Sequence, residues 1–231
     1  RKSRFYFKEH MKKNILFCGT PQFAVASLKS LFKNQKILNY KLLGAITITD
    51  KVAGRGLKKQ KSAIKQEAEN MGIKIFQPLE LSDPNFINSM KKLNLDLIVV
   101  VGFKKLPKKL FKIPRMGTIN LHASLLPKYR GSAPINWAIV KGETETGLTT
   151  FFINDKIDTG DIILQSKVKI NEEWHANDLH DILMQKSDEI IKKTIEKVFS
   201  NSLKTKIQTD SNCLESRYAP KIKKSDFIIN K

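Results

Sequence analysis

Asn120 and His122 stand two positions apart in Asn120-Leu121-His122-Ala123-Ser124-Leu125-Leu126-Pro127-Lys128-Tyr129-Arg130-Gly131. Side chains two apart on a strand share a face. The pair therefore offers an amide that can polarise a carbonyl beside an imidazole suited to proton transfer. A polar pair satisfied by loop backbone fits the same spacing. Asp158 lies in the turn Ile157-Asp158-Thr159-Gly160-Asp161, where Asp and Gly are ordinary turn residues. It gains chemical meaning only if the fold brings it beside His122, as a carboxylate that orients the imidazole or balances its charge. Gly19-Thr20-Pro21 follows an apolar run and precedes a helical pattern. Such a turn can present N–H groups to a ligand, or can simply reverse the chain. It is neither a G-x-G-x-x-G fingerprint nor a P-loop. Ser124 lacks the G-x-S-x-G surroundings of an activated nucleophile.

These residues need elements to position them. Asn14–Cys18 reads as a buried strand and Phe23–Phe32 as a helix, with Phe23, Val25, Ala26, Leu28 and Leu31 toward the core. Strands are expected at Leu42–Thr49, Ile73–Phe76, Leu95–Val101 and Thr118–Leu121, with Leu95–Val101 central because it is the most apolar. Helices are expected at Ser62–Met71, stopped by Gly72, and from a Ser82 or Asp83 cap through Pro84 to about Leu93. This alternation predicts an α/β fold, a Rossmann-like, mostly parallel twisted sheet with helices on both faces. After Gly131 a short helix, Ile135–Val140, is followed by strands Gly147–Ile153 and Ile162–Ile170, expected to be antiparallel at the sheet edge. A long helix capped by Asn177 or Asp178 should reach Phe199. The domain reading is an extension over 1–11, a catalytic domain over 12–200, and an exit segment over 201–231.

The chain has 231 residues and a formal net charge of +20. An apolar content of 41% suffices for a core, and the two cysteines, Cys18 and Cys213, form no ligand cluster. No metal site is expected. Apolar runs such as Leu97–Val101 fall far short of the roughly 20 residues that span a bilayer, so no membrane association is expected. Arg supplies only six of the 42 basic residues, so part of the charge is a lysine-rich composition. The remainder is local. Lys51–Lys65 and Lys104–Arg115 each carry six basic residues and no acid, a pattern that suits a polyanion such as nucleic acid.

Several separated signatures occur in order: Phe17-Cys18-Gly19-Thr20-Pro21-Gln22-Phe23-Ala24, Asp50-Lys51-Val52-Ala53-Gly54-Arg55-Gly56, Phe76-Gln77-Pro78, Ile119–Ile135, Gly142–Gly147 and Ile157–Asp161. On these the chain resembles the 10-formyltetrahydrofolate-dependent formyltransferases, in their methionyl-tRNA formyltransferase branch, over about Lys12 to Lys224. The resemblance implies formyl transfer from 10-formyltetrahydrofolate to the α-amine of initiator methionyl-tRNA, by a cytoplasmic monomer without a metal. It implies Asn120, His122 and Asp158 as catalytic residues. It also implies Ser124, Leu125, Leu126, Pro127, Phe103 and Leu106 around the folate, and Arg55, Lys51, Lys58 and Lys59 toward tRNA. Gly102-Phe103-Lys104 departs from the Tyr-Gly pair commoner in the family. The family pattern continues into a C-terminal β-barrel-like domain, toward which 201–231 is expected to lead. Rival readings are a sugar-nucleotide amine formyltransferase, a more distant glycinamide ribonucleotide formyltransferase, and a non-catalytic RNA- or folate-binding remnant.

Overall fold

A computed structural model describes residues 12–53, 58–200, 203–209, 218–223 and 226. The chain divides into two compact units, 1–119 and 120–231, and the division falls within strand β7.

In the first unit, β1 (Lys13–Gly19) is a buried apolar strand flanked by β2 (Tyr40–Ile46) and β6 (Leu97–Val101). Both pairings are parallel, with Ile15 opposite Leu42 on one side and Leu97 on the other. Every residue of β6 is buried, which its unbroken Leu-Ile-Val-Val-Val run requires of a strand covered on both faces. Two-residue β5 (Ile75–Phe76) extends the sheet beyond β2, again in parallel. Helix α1 (Phe23–Lys33) buries Phe23, Val25, Leu28 and Leu31 as expected, together with Ala24 in place of the half-buried Ala26. Helix α2 (Ala63–Asn70) is capped by Ser62, whose Oγ accepts from the Lys65 N–H at 3.0 Å, and Gly72 follows it at φ +65°. Helix α3 (Pro84–Lys92) uses Asp83 as its cap, with Oδ1 accepting from the Phe86 N–H at 2.7 Å.

Two short strands lie in the basic loop expected after Thr49. β3 (Lys51–Ala53) and β4 (Lys58–Gln60) form an antiparallel pair with Val52 opposite Lys59. Half of these six residues are lysine and they carry no alternating apolar pattern, so nothing in their composition announces strands. A single-turn helix, α4 (Lys108–Phe111), also went unread in the second basic stretch.

β7 (Thr118–His122) leads into the second unit, where β8 (Glu145–Phe152) and β9 (Ile162–Lys169) pair antiparallel at the sheet edge. The complete order is β5-β2-β1-β6-β7-β8-β9, with β6 in the middle. Helix α5 (Pro134–Val140) is short, and α6 (Ala176–Phe199) packs on β8 and β9 through Leu179, Leu183, Ile190, Ile191, Ile195 and Val198. Its cap is His175, earlier than expected. Asp178 does serve the cap, but from the third helical position, where Oδ2 accepts the His175 N–H at 2.8 Å.

The described residues beyond Ser200 return to this unit. Lys206 makes an antiparallel bridge with Ile162, and Ala219 a parallel one with Gly131. The expected exit segment therefore contributes two pieces of backbone to the surroundings of 129–131 and 158–162.

Candidate active site

β7 ends in the residues that can do chemistry. His122 is buried, 6% exposed, and Asn120 is half-buried. His122 Nε2 lies 2.8 Å from the Tyr129 carbonyl oxygen. A carbonyl only accepts, so Nε2 carries a hydrogen, and Nδ1 is left with a lone pair when the ring is neutral or a second N–H when it is protonated. Nδ1 faces Asp158 Oδ2 at 3.8 Å, an ion-pair separation rather than a hydrogen bond. Among the described residues no hydrogen bond engages the Asn120 side chain, so its amide is free for a ligand carbonyl.

The partners of His122 are themselves held. Tyr129 sits at φ +60°, and its buried ring is tied through its hydroxyl to Glu143 Oε1 at 2.7 Å. Asp158 Oδ2 accepts the Gly131 N–H at 2.9 Å. Gly131 has φ +130°, and a Cβ there would meet the Ala219 carbonyl oxygen at 2.4 Å, so only glycine allows this approach. Asp158 is at φ +53°, a left-handed conformation that short polar residues tolerate best. Around it, Asn154 Oδ1 accepts from Lys156 N and Thr159 Oγ1, each at 2.9 Å. At Gly160 a Cβ would lie 1.6 Å from the Phe152 carbonyl oxygen. Gln208 donates through Nε2 to the carbonyls of Asp158 (3.1 Å) and Gly160 (2.7 Å).

The segment Ser124–Pro127 is pinned by polar bonds. Ser124 Oγ donates to the Lys128 carbonyl at 2.6 Å and is fully buried, so its hydroxyl closes the loop. Thr149 Oγ1 donates to the Ser124 carbonyl at 2.6 Å and accepts the Leu126 N–H at 3.1 Å. Leu126 is buried with Phe151 and Ile162, while Leu125 and Pro127 stay part exposed. In the first unit, Phe103 is part exposed and Leu106 is buried. Their loop begins at Gly102, φ +55°, packed so closely on Pro21 that a Cβ would lie 2.7 Å from its ring. The Gly19-Thr20-Pro21 turn and the 102–106 loop are therefore neighbours, which their sequence spacing does not announce.

Lys51, Lys58 and Lys59 lie on the β3–β4 ladder, and Arg55 lies outside the described residues. The base of this ladder is anchored by Asp50, which accepts from Lys65 Nζ at 2.6 Å and Gln77 Nε2 at 2.9 Å. These hydrogen bonds hold the Asp50 carboxyl below the usual carboxylate range, Lys65 contributing most. Lys61 is likewise paired, with Glu69 at 2.6 Å. The stretch that looks acid-free along the chain thus meets two acids in space. In the second basic stretch Lys109, Lys112 and Arg115 line a groove of about 350 Å³ with Lys91, and Arg115 also pairs with Asp96 at 3.0 Å.

Sequence reasoning brought Asn120, His122 and Asp158 together only through a resemblance. It missed the Tyr129 carbonyl and Gly131 amide, although both lie in the quoted stretch, and it missed Gln208, which belongs to no motif.

A Rossmann-like sheet thus carries an Asn and a buried His at the end of one strand and, in an adjoining turn, the carboxylate that faces the His. Residues 11–195 match the family described as formyl transferase, and the chain belongs to that family. It is 47% identical over 207 residues to the methionyl-tRNA formyltransferase of Flavobacterium johnsoniae, covering 90% of this chain and 64% of the relative. With the methionyl-tRNA formyltransferase of Flavobacterium psychrophilum it shares 46% identity over 204 residues, covering 88% and 64%. The chain thus spans about 64% of the length of these curated relatives. Among solved structures it is similar to a sugar 3N-formyl transferase, WlaRD, crystallised in the presence of dTDP and 5-N-formyl-THF. The TM-score is 0.66 at 26% identity, over 95% of this chain and 72% of that one.

Proposed function

We propose that this chain carries the catalytic site of a methionyl-tRNA formyltransferase, moving the formyl group of 10-formyltetrahydrofolate to the α-amine of initiator methionyl-tRNA. The reaction would serve the start of protein synthesis in the cytoplasm. The observation that carries this reading is the His122–Asp158 pair, with Nε2 committed to the Tyr129 carbonyl and Nδ1 turned toward the carboxylate.

Chemistry follows from that arrangement. The free Asn120 amide donates to the formyl oxygen and makes its carbon electrophilic. A free α-amine titrates near about 7.7–8.0, so a neutral amine is available at pH 7. Its lone pair attacks the formyl carbon, and the carbonyl electrons move to oxygen. His122 Nδ1 takes up the proton that the attacking amine loses; Asn120 and the imidazolium so formed stabilise this tetrahedral oxyanion, while Asp158 balances the charge of the imidazolium. The oxyanion then collapses, and the bond from the formyl carbon to the folate nitrogen breaks. The proton lost by the amine is delivered to that nitrogen, and tetrahydrofolate leaves. In the same reading Leu125, Leu126, Pro127, Phe103 and Leu106 surround the folate, with Ser124 holding their loop. Lys51, Arg55, Lys58 and Lys59 meet the phosphates of the acceptor end, where lysine neutralises charge and arginine adds planar contacts.

The relatives named methionyl-tRNA formyltransferase favour tRNA over a sugar nucleotide as acceptor. Labelled formyl transfer is therefore expected with charged initiator tRNA and not with a dTDP-linked amino sugar. Transfer to the amino sugar alone would replace this reading with the sugar formyltransferase, and transfer to neither would leave a binding remnant.

A further inference from the structure

Gln208 lies 48 and 50 positions from the two carbonyls it holds, in a segment with no regular structure. Its amide is used at both ends. Nε2 donates to the carbonyls of Asp158 and Gly160, which flank Thr159 and set the course of the turn. Oε1 accepts from Arg130 Nη2 at 2.8 Å and Arg130 Nε at 3.2 Å. Arg130 is only 6% exposed and immediately precedes Gly131, whose N–H binds the Asp158 carboxylate. One side chain therefore grips both sides of the Gly131–Asp158 hydrogen bond. The segment is itself registered from nearby, because Lys206 and Ile162 exchange two backbone hydrogen bonds of 2.8 Å. Asp158 needs such help: a non-glycine residue at φ +53° is in a disfavoured conformation, and its neighbours must hold it there.

We propose that Gln208 is a positioning residue of the formyl-transfer site, setting the Asp158 carboxylate against His122 by clamping the 158–160 turn to the guanidinium of Arg130, the residue that precedes Gly131. The proposal rests on Asp158 being a member of the catalytic set. Gln208 itself touches no reacting atom; it acts through Asp158.

Two variants separate positioning from folding. Gln208→Met removes both ends of the clamp. Gln208→Glu keeps an acceptor for Arg130 but turns a second oxygen on two carbonyls, so it retains the docked segment and loses the grip on the turn. Both variants are expected to fold, to lose about tenfold in kcat, the equivalent of one or two net hydrogen bonds, and to change KM for either substrate little. Amide exchange at Gly131, which reports the seated carboxylate without any turnover, is expected to speed up about tenfold, while Ala219 N–H, bonded to the Arg130 carbonyl, stays protected. In an Asp158→Asn background, Gln208→Met should cost less than about twofold, the signature of action through one residue. A full cost persisting in that background, unchanged Gly131 exchange, unchanged kcat, or failure of both variants to fold would each overturn the proposal. If Asp158→Asn alone left kcat intact, the catalytic reading of Asp158 would fail, and this clamp would then hold a residue without a catalytic part.

Discussion

β6 and the turn 153–161 solve opposite problems of placement. β6 is held by burial: Leu97, Ile98, Val99 and Val101 are fully buried, and their pairing with β1 runs unbroken from Ile15 to Gly19. The turn carries exposed Asn154, Asp155, Lys156 and Ile157, and holds Asp158 through hydrogen bonds from Gly131 and Gln208. Burial is tolerant, because any apolar side chain of similar volume restores most of it. A turn placed by individual hydrogen bonds is not, because each bond needs its own partner in place. The scaffold can thus drift in sequence while the site cannot, and substitutions in the two regions should fail in different currencies.

The comparison breaks most visibly at its extremes. Replacing His122 with Ala is expected to lower kcat by about 10²–10⁴, the usual worth of a positioned proton-transfer group, with little change in melting temperature. Near-normal turnover would remove His122 from the chemistry. Leu97→Ala should do the reverse. It leaves a cavity between buried strands and is expected to cost about 3 kcal/mol in urea unfolding, while the folded enzyme keeps its kcat. A loss of kcat at temperatures where the variant stays folded would show that β6 does more than support.

The smallest effect belongs to Asp50. Its carboxyl is held below the value of 3.8 taken for a free side chain, chiefly by the hydrogen bond from Lys65 and next by that from Gln77. A depressed folded value contributes stability that is present above the unfolded value and is lost as pH falls through the folded one. Asp50→Asn should therefore flatten the decline of the urea midpoint below about pH 4. An unchanged acid limb would mean that the anchor of the β3–β4 ladder contributes nothing to stability.

What was legible in the sequence follows the same division. Apolar periodicity located β1, α1 and β6 to within a residue or two, and placed β6 in the middle of the sheet. Local hydrogen-bonding chemistry located the Ser62 and Asp83 caps. Both signals act within a few residues. The cap of α6 was misplaced because Asp178 works from inside the helix, reaching back to His175. β3 and β4 carry no strand pattern at all. The hold on Asp158 depends on partners 27 to 50 positions away, among them a backbone N–H, a group that has no side-chain signature of its own. Spacing alone left Asn120 and His122 open between a site and a satisfied polar pair, and only the ordered signatures tipped that balance. The structure adds that the Tyr129 carbonyl takes Nε2 and that Nδ1 faces Asp158.

The most direct test is a side-by-side single-turnover measurement of labelled formyl transfer to initiator methionyl-tRNA by the wild type, Leu97→Ala and His122→Ala, at a temperature where circular dichroism shows all three folded. Leu97→Ala is expected to match the wild-type rate within about threefold, and His122→Ala to fall at least about a hundredfold below it. Equal rates for the two variants, or a slower Leu97→Ala, would contradict the division of labour between buried scaffold and hydrogen-bonded site.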